Sequence, residues 1–299
     1  MRTQPCQVWT PTRWLLTAIA VTACIAANSE AQTRFEVERA GRPGASHIML
    51  IPGLATPGEV WNETVAALGG SVDAHIITAA GFGDVPPADE GAFIEPLVAA
   101  LEAYLDDQSL ADLTIVGHSM GAQIALQLAE SRPDRVERVV VVDSAPFFAR
   151  LFNPAVTAEQ AAQYGQMMAA QMAGMPRESY LAMSRQGLPI QSISSEGQAR
   201  VMGWMERADQ GAVARAMGEV SGRDFSPLLP DVSAEVTVLV AWDEGSPLTA
   251  GQLLALYQGQ YAGLPDAQVQ IITDSRHFIM LDQPAAFLDA VRAVLPTAN

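Results

Sequence analysis

Seven short apolar runs that alternate with helical patterns limit most strongly what this chain can fold into. They span residues 35–39 (as an edge strand), 47–53, 74–78, 113–118, 136–142, 235–242 and 267–273. Between them, residues 59–68, 92–105, 122–130, 250–261 and 285–295 carry apolar residues at three-to-four spacing. Strand runs that are apolar on both faces must be covered on both faces, and the covering elements here are helices. The pattern predicts an α/β chain: a mostly parallel central sheet flanked by helices. With 49% hydrophobic and 17% charged residues, the 299-residue chain has ample material for such a core, and a disordered or collagen-like chain is excluded.

One stretch breaks the alternation. About ninety residues separate the runs at 136–142 and 235–242, where a crossover needs about a dozen. Residues 153–230 read as several short helices broken at Pro154, Pro176, Pro189 and Pro227. Eight of the twelve methionines lie there: Met167, Met168, Met172, Met175, Met183, Met202, Met205 and Met217. Methionine fills irregular helix packing, and it also suits a pliable apolar lid over a pocket. The expected organisation is an export signal over 1–31, a core over 32–150 and 231–299, and a helical cap over 151–230.

The first residues read as a targeting segment. Arg2 and Arg13 precede an uncharged stretch from Trp14 to Ala27, and Ser29-Glu30-Ala31 offers small residues for cleavage before Gln32. Its fourteen residues fall short of the about 20 that span a bilayer. Val21-Thr22-Ala23-Cys24 also resembles a lipobox, which would lipidate Cys24 and tether the protein. The expected location is therefore periplasmic or secreted, with a membrane link only through Cys24. Cys6 and Cys24 are the sole cysteines, so the body has no thiol nucleophile and no disulfide framework. Net charge is −16, from 33 acidic residues against 17 basic ones, all of the latter arginine. That balance argues against nucleic acid as a partner.

Chemistry concentrates at Gly117-His118-Ser119-Met120-Gly121, where an apolar run ends and a helix begins. This G-x-S-x-G pattern arises by chance in roughly one such chain in ten, but its strand–turn–helix setting makes it specific. The glycines permit a turn so sharp that the serine is lifted to the sheet edge above a helix N-terminus. A serine hydroxyl needs a base. Of four histidines, His47 and His75 lie in strand runs and read as structural, and His118 inside the turn is expected to point away from the serine. His277 follows the last strand run, and its order after Ser119 suits a nucleophile–base pair.

On these residues the chain resembles the α/β-hydrolase superfamily over roughly residues 45–295. The resemblance is carried by Pro52-Gly53-Leu54, the Gly117–Gly121 turn, and His277 with its trailing Asp282-Gln283-Pro284. Gly81-Phe82-Gly83 resembles the family's glycine-rich turn. Small serine esterases with a helical cap are the most similar members. The resemblance implies an oxyanion hole from the backbone N–H groups of Leu54 and Met120, although Pro52-Gly53 stands where many members have His-Gly. The family's usual acid follows its seventh strand, but here Ser246 of Ser246-Pro247-Leu248 takes that slot and Asp243 stands three residues early. The family also tolerates an acid after the sixth strand, where Asp143 stands. Asp143 is the first candidate, Asp243 its alternative, and Asp274 a further one.

The resemblance therefore implies an exported serine hydrolase acting on a hydrophobic ester or lactone. Ser119 is the nucleophile, His277 the base, and Trp61, Phe82, Phe147, Phe148, Trp204 and Phe278 are the expected pocket. No nucleotide or metal motif is present, so no cofactor and no metal are expected. A C–C bond hydrolase or cofactor-free perhydrolase would use the same triad. A binding protein on a decayed hydrolase site is the rival of a different class.

Overall fold

The computed structural model describes residues 34–88 and 91–296. The expected export segment, with Cys6 and Cys24, lies outside them. Seven strands, β1 (Phe35–Gly41), β2 (Ser46–Ile51), β3 (Val72–Ala79), β4 (Leu113–His118), β5 (Val136–Val142), β6 (Glu235–Trp242) and β7 (Gln268–Thr273), form one sheet. Their spatial order is β1-β3-β2-β4-β5-β6-β7. β1 pairs antiparallel with β3 and every other neighbour is parallel. The expected mostly parallel α/β sheet is what the chain forms.

Alternation along the strands divides the core. Met49 and Ile51 of β2 face one layer, with the apolar residues of α2 (Ile94–Asp107) and α3 (Met120–Ser131). Ile48 and Leu50 face the other, with Trp61 and α1 (Asn62–Leu68). β4 is buried along its whole length, as a central strand covered on both faces must be.

The chain runs from β2 outward to β3, then crosses back to place β4 on the other side of β2. That reversal opens a crevice at the carboxyl ends of β2 and β4, where open α/β sheets bind their ligands. Leu54 and Ser119 follow those two ends.

Between β5 and β6 stand four helices: α4 (Ala158–Ala173), α5 (Arg177–Gln191), α6 (Ser195–Arg207) and α7 (Gln210–Gly222). Pro154 precedes α4, Pro176 caps α5, and Pro227 follows α7. Pro189 departs from expectation, because α5 continues through it to Gln191. It sits in the last turn, where the bond lost by its missing N–H is one of the last the helix makes. The actual breaks come at Ser194 and Asp209, whose side chains accept from the backbone N–H groups of Gly197 and Ala212. The chain ends with α8 (Ala250–Gln260), α9 (Ile279–Asp282) and α10 (Pro284–Val294), the last of which packs Phe287 on Trp61.

Candidate active site

Ser119 stands at the turn from β4 into α3 with φ 53° and ψ −117°. Few residues other than glycine hold such a backbone, and they do so only where the surroundings leave no alternative. The flanking glycines supply that constraint. A Cβ on Gly121 would lie 2.6 Å from the carbonyl oxygen of Pro52, and one on Gly117 equally close to the Ala122 nitrogen. The β2 terminus is as tightly fitted, since a Cβ on Gly53 would come within 3.1 Å of the Ser119 Cβ. Leu54 is thereby held beside the serine. Met120 opens α3, whose first N–H groups have no partner within the helix.

The Ser119 N–H donates to the Val142 carbonyl on β5 at 2.9 Å. The next residue of that strand end is Asp143, so serine and aspartate emerge side by side from adjacent parallel strands. Asp143 also has a positive φ, 47°, and its own N–H donates to Leu239 of β6. Its carboxylate is anchored twice: Oδ1 accepts from the Ala241 N–H at 3.0 Å and Oδ2 from His277 Nδ1 at 2.7 Å. With Nδ1 so engaged, His277 keeps Nε2 for chemistry. Ser119, Asp143 and His277 line one cavity of about 530 Å³.

Asp243 lines the same cavity but binds elsewhere. Its Oδ2 accepts from Arg276 Nε at 2.6 Å. Arg276 also donates to the Pro189 carbonyl in α5, and its backbone N–H donates to Asp282. Asp282 in turn accepts from Ser192 and Ile193, so the histidine loop is tied to the α5–α6 connection. Asp274, the further candidate, is an exposed turn residue with φ 54°.

Sequence reasoning missed His118. Read only as a turn residue pointing away from the serine, it contacts the histidine loop: its Nε2–H donates to the His277 carbonyl at 2.9 Å, and its ring lies 4.5 Å from that of His277. Complete burial and the neighbouring His277 hold its pKa well below the ordinary value, so it stays neutral. Tyr257, also on the cavity wall, keeps its proton, because burial and then the Asp143 charge push its pKa well up.

The pocket expectation is corrected at four of its six residues. Phe148 and Phe278 line the cavity. Trp61, Phe82, Phe147 and Trp204 do not: Trp61 stacks on Phe287, Phe82 on Phe93, Phe147 is fully buried, and the Trp204 indole donates to Glu59. Large aromatics satisfy core packing first, and composition alone does not separate the two uses. The wall is completed by Leu151, Phe152, Ile190, Val220 and Trp242, and of the eight methionines only by Met205 and Met217. Met167 and Met183 face solvent.

A model of the alpha/beta hydrolase family matches residues 48–290. A pimeloyl-[acyl-carrier protein] methyl ester esterase of Aeromonas hydrophila is 33% identical over 135 residues, 44% of this chain and 51% of that protein, so the match spans about half of its length. An sn-1-specific diacylglycerol lipase of Mus musculus is 26% identical over 232 residues, 73% of this chain and 70% of its own. Among solved structures, a thermophilic esterase from Thermogutta terrifontis superposes with a TM-score of 0.71 at 20% identity, covering 87% of this chain and 92% of that one.

Proposed function

The chain belongs to the alpha/beta hydrolase family, and on that premise we propose that it is a serine hydrolase cleaving a carboxylic ester or lactone of a hydrophobic small molecule. The observation that carries this reading is the Asp143–His277 pair at 2.7 Å beside a serine held in a strained turn. Asp143 fixes the imidazole with its proton on Nδ1 and stabilises the imidazolium that forms. His277 Nε2 then takes the Ser119 proton as the hydroxyl attacks the carbonyl carbon. The Leu54 and Met120 N–H groups hold the oxyanion, His277 returns the proton to the departing alcohol, and a water activated by His277 releases the acyl group.

The wall supports the proposed substrate class. Leu151, Phe152, Ile190, Met205 and Val220 offer apolar contact, and the one guanidinium on the wall, that of Arg276, is already paired with Asp243. A cleft whose lining is more apolar than polar suits a hydrophobic acyl or alcohol portion. The four helices α4–α7 serve as the cap. The esterase and lipase among the relatives support ester chemistry, and the Asp143–His277 hydrogen bond on the cavity that Ser119 also lines speaks against a decayed binding protein.

The test is hydrolysis of p-nitrophenyl esters of increasing acyl length by the protein and its Ser119→Ala variant. The variant should lose turnover by about 10⁴-fold or more. A strict preference for charged esters would overturn the pocket assignment. Labelling by a fluorophosphonate probe without ester turnover would move the reading to C–C cleavage or perhydrolysis. We further propose export, resting on residues 1–31 alone. Sequencing of the mature chain should begin at Gln32, whereas a blocked, lipidated Cys24 would mean a tethered form.

A further inference from the structure

A second cluster of ligating side chains lies at the other end of the sheet. Asp73 and His75 are two residues apart on β3 and so share a face, and the parallel register sets His47 of β2 beside Asp73. One donor atom from each of the three lies within 4.8 Å of the others, and His47 Nδ1 stands 3.8 Å from Asp73 Oδ2. His47 Nδ1 and His75 Nε2 are buried with no hydrogen-bond partner among the described residues. His75 as a whole is 0% exposed. Two imidazole nitrogens without a protein partner in a cluster with a carboxylate favour an occupant, because a buried polar atom left unpaired is costly.

We propose that His47 Nδ1, Asp73 Oδ2 and His75 Nε2 form a site for a divalent transition metal of the zinc class. Two imidazoles and a carboxylate are a zinc-type ligand set with a fourth position left for water. Supporting groups are in place. Asp73 Oδ1 accepts from Arg39 at 2.7 Å, Oδ2 accepts from the Gly44 N–H at 3.0 Å with a lone pair to spare, and Tyr104 bonds His75 Nδ1 at 2.7 Å. Such outer contacts aim metal ligands. Burial, followed by the charge of Arg39, lowers the His75 pKa to about 4, leaving a neutral ring able to ligate. Arg39 opposes a cation, but it is committed to Oδ1 and its side chain is 42% exposed, where solvent and salt screen it. Ligand atoms on a tetrahedral zinc stand about 3.3 Å apart, so closure needs side-chain movements of about 1 Å. His47, the most exposed of the three, supplies the entry path. The site pins the amino ends of β2 and β3, opposite Ser119, and its role is to staple the sheet.

The experiment is titration of chelator-stripped protein with Zn²⁺ and Co²⁺, followed by calorimetry, cobalt visible absorption and thermal unfolding, with His47→Ala and His47→Gln in parallel. One ion per chain is expected, with a rise in melting temperature of roughly several degrees at a hundredfold excess over Kd. Affinity should fall tenfold or more in both variants. No stoichiometric uptake by the wild type would overturn the site and leave water to bridge the orphaned nitrogens. So would equal uptake by the variants, or an equal response to Ca²⁺, which would mark binding by surface carboxylates instead.

Discussion

Asp143 and Asp243 accept hydrogen bonds from consecutive residues of one loop, and the identity of the donor separates their roles. Asp143 takes the imidazole N–H of His277, so replacing it by Asn changes which tautomer of that ring is favoured. Asp243 takes the guanidinium of Arg276, so the same change there loosens the loop and its link to α5. Asp143→Asn should therefore lower kcat by about 10⁴-fold with KM nearly unchanged. Asp243→Asn should cost about tenfold or less, mostly in KM, because it shifts the wall of the cavity and leaves the proton path intact. Steady-state kinetics on a short and a long acyl ester check both, and equal losses in the two variants would refute the assignment. Both aspartates were visible in the sequence as residues following strands. The resemblance put Asp143 first, and the hydrogen bond to His277 supports that order through a distance that depends on how β5, β6 and the last loop converge.

Among the elements, α4 and α7 approach closely through glycines. A Cβ on Gly165 would collide with the Gly218 carbonyl oxygen and lie 2.8 Å from the Gly222 Cα. These are backbone atoms, which cannot turn aside as a side chain can. Gly165→Ala should thus destabilise the protein by about 1–3 kcal/mol in urea unfolding. Activity on long acyl esters should fall before activity on short ones, since α7 carries Met217 and Val220 of the cavity wall. Gly187 in α5 is the counterpart, with nothing among the described residues within 4 Å of its would-be Cβ. Gly187→Ala should raise stability by roughly 0.5–1 kcal/mol, the helix propensity difference alone. The central strands were readable because a strand buried on both faces must be apolar over most of its length, whereas the edge strands β1 and β7 are partly exposed. The boundaries of α5, α6 and α7 were less so: caps at Ser194 and Asp209 are single polar side chains among many, and a proline in a last turn does not end a helix. The same ambiguity misplaced the aromatics, since Trp61 and Trp204 are as apolar in the core as they would be on a cavity wall.

At the scale of the whole molecule, the sheet buries two histidines in unlike settings, His75 among β1, β3 and α2 and His118 beneath the active-site loop. His75 was read as a structural strand residue and His118 as a turn residue pointing away from the serine, because burial of a polar ring depends on what covers it. The common consequence is acid sensitivity. Burial, aided by the charge of Arg39, takes His75 from an ordinary value of 6.5 to about 4, and burial beside His277 takes His118 well below the same value. Above about pH 7.5 both rings are almost wholly neutral folded or unfolded, and the proton difference vanishes. As pH falls below that point, the unfolded chain binds protons at these two positions and the folded chain does not, so the unfolding free energy must drop. The decline is steepest between about pH 6 and pH 5, at up to about 1.4 kcal/mol per pH unit for each histidine, and the His75 share levels off as pH approaches about 4. Urea unfolding in chelator at about pH 7, 6 and 5 should show midpoints that fall with unchanged m-values. His75→Gln carries no titrating proton, and should flatten the slope by up to one proton while shifting stability at about pH 7 by a constant amount. A variant slope equal to that of the parent would mean that His75 is protonated alike in both states, and the acid sensitivity would then belong to His118 beneath the catalytic loop.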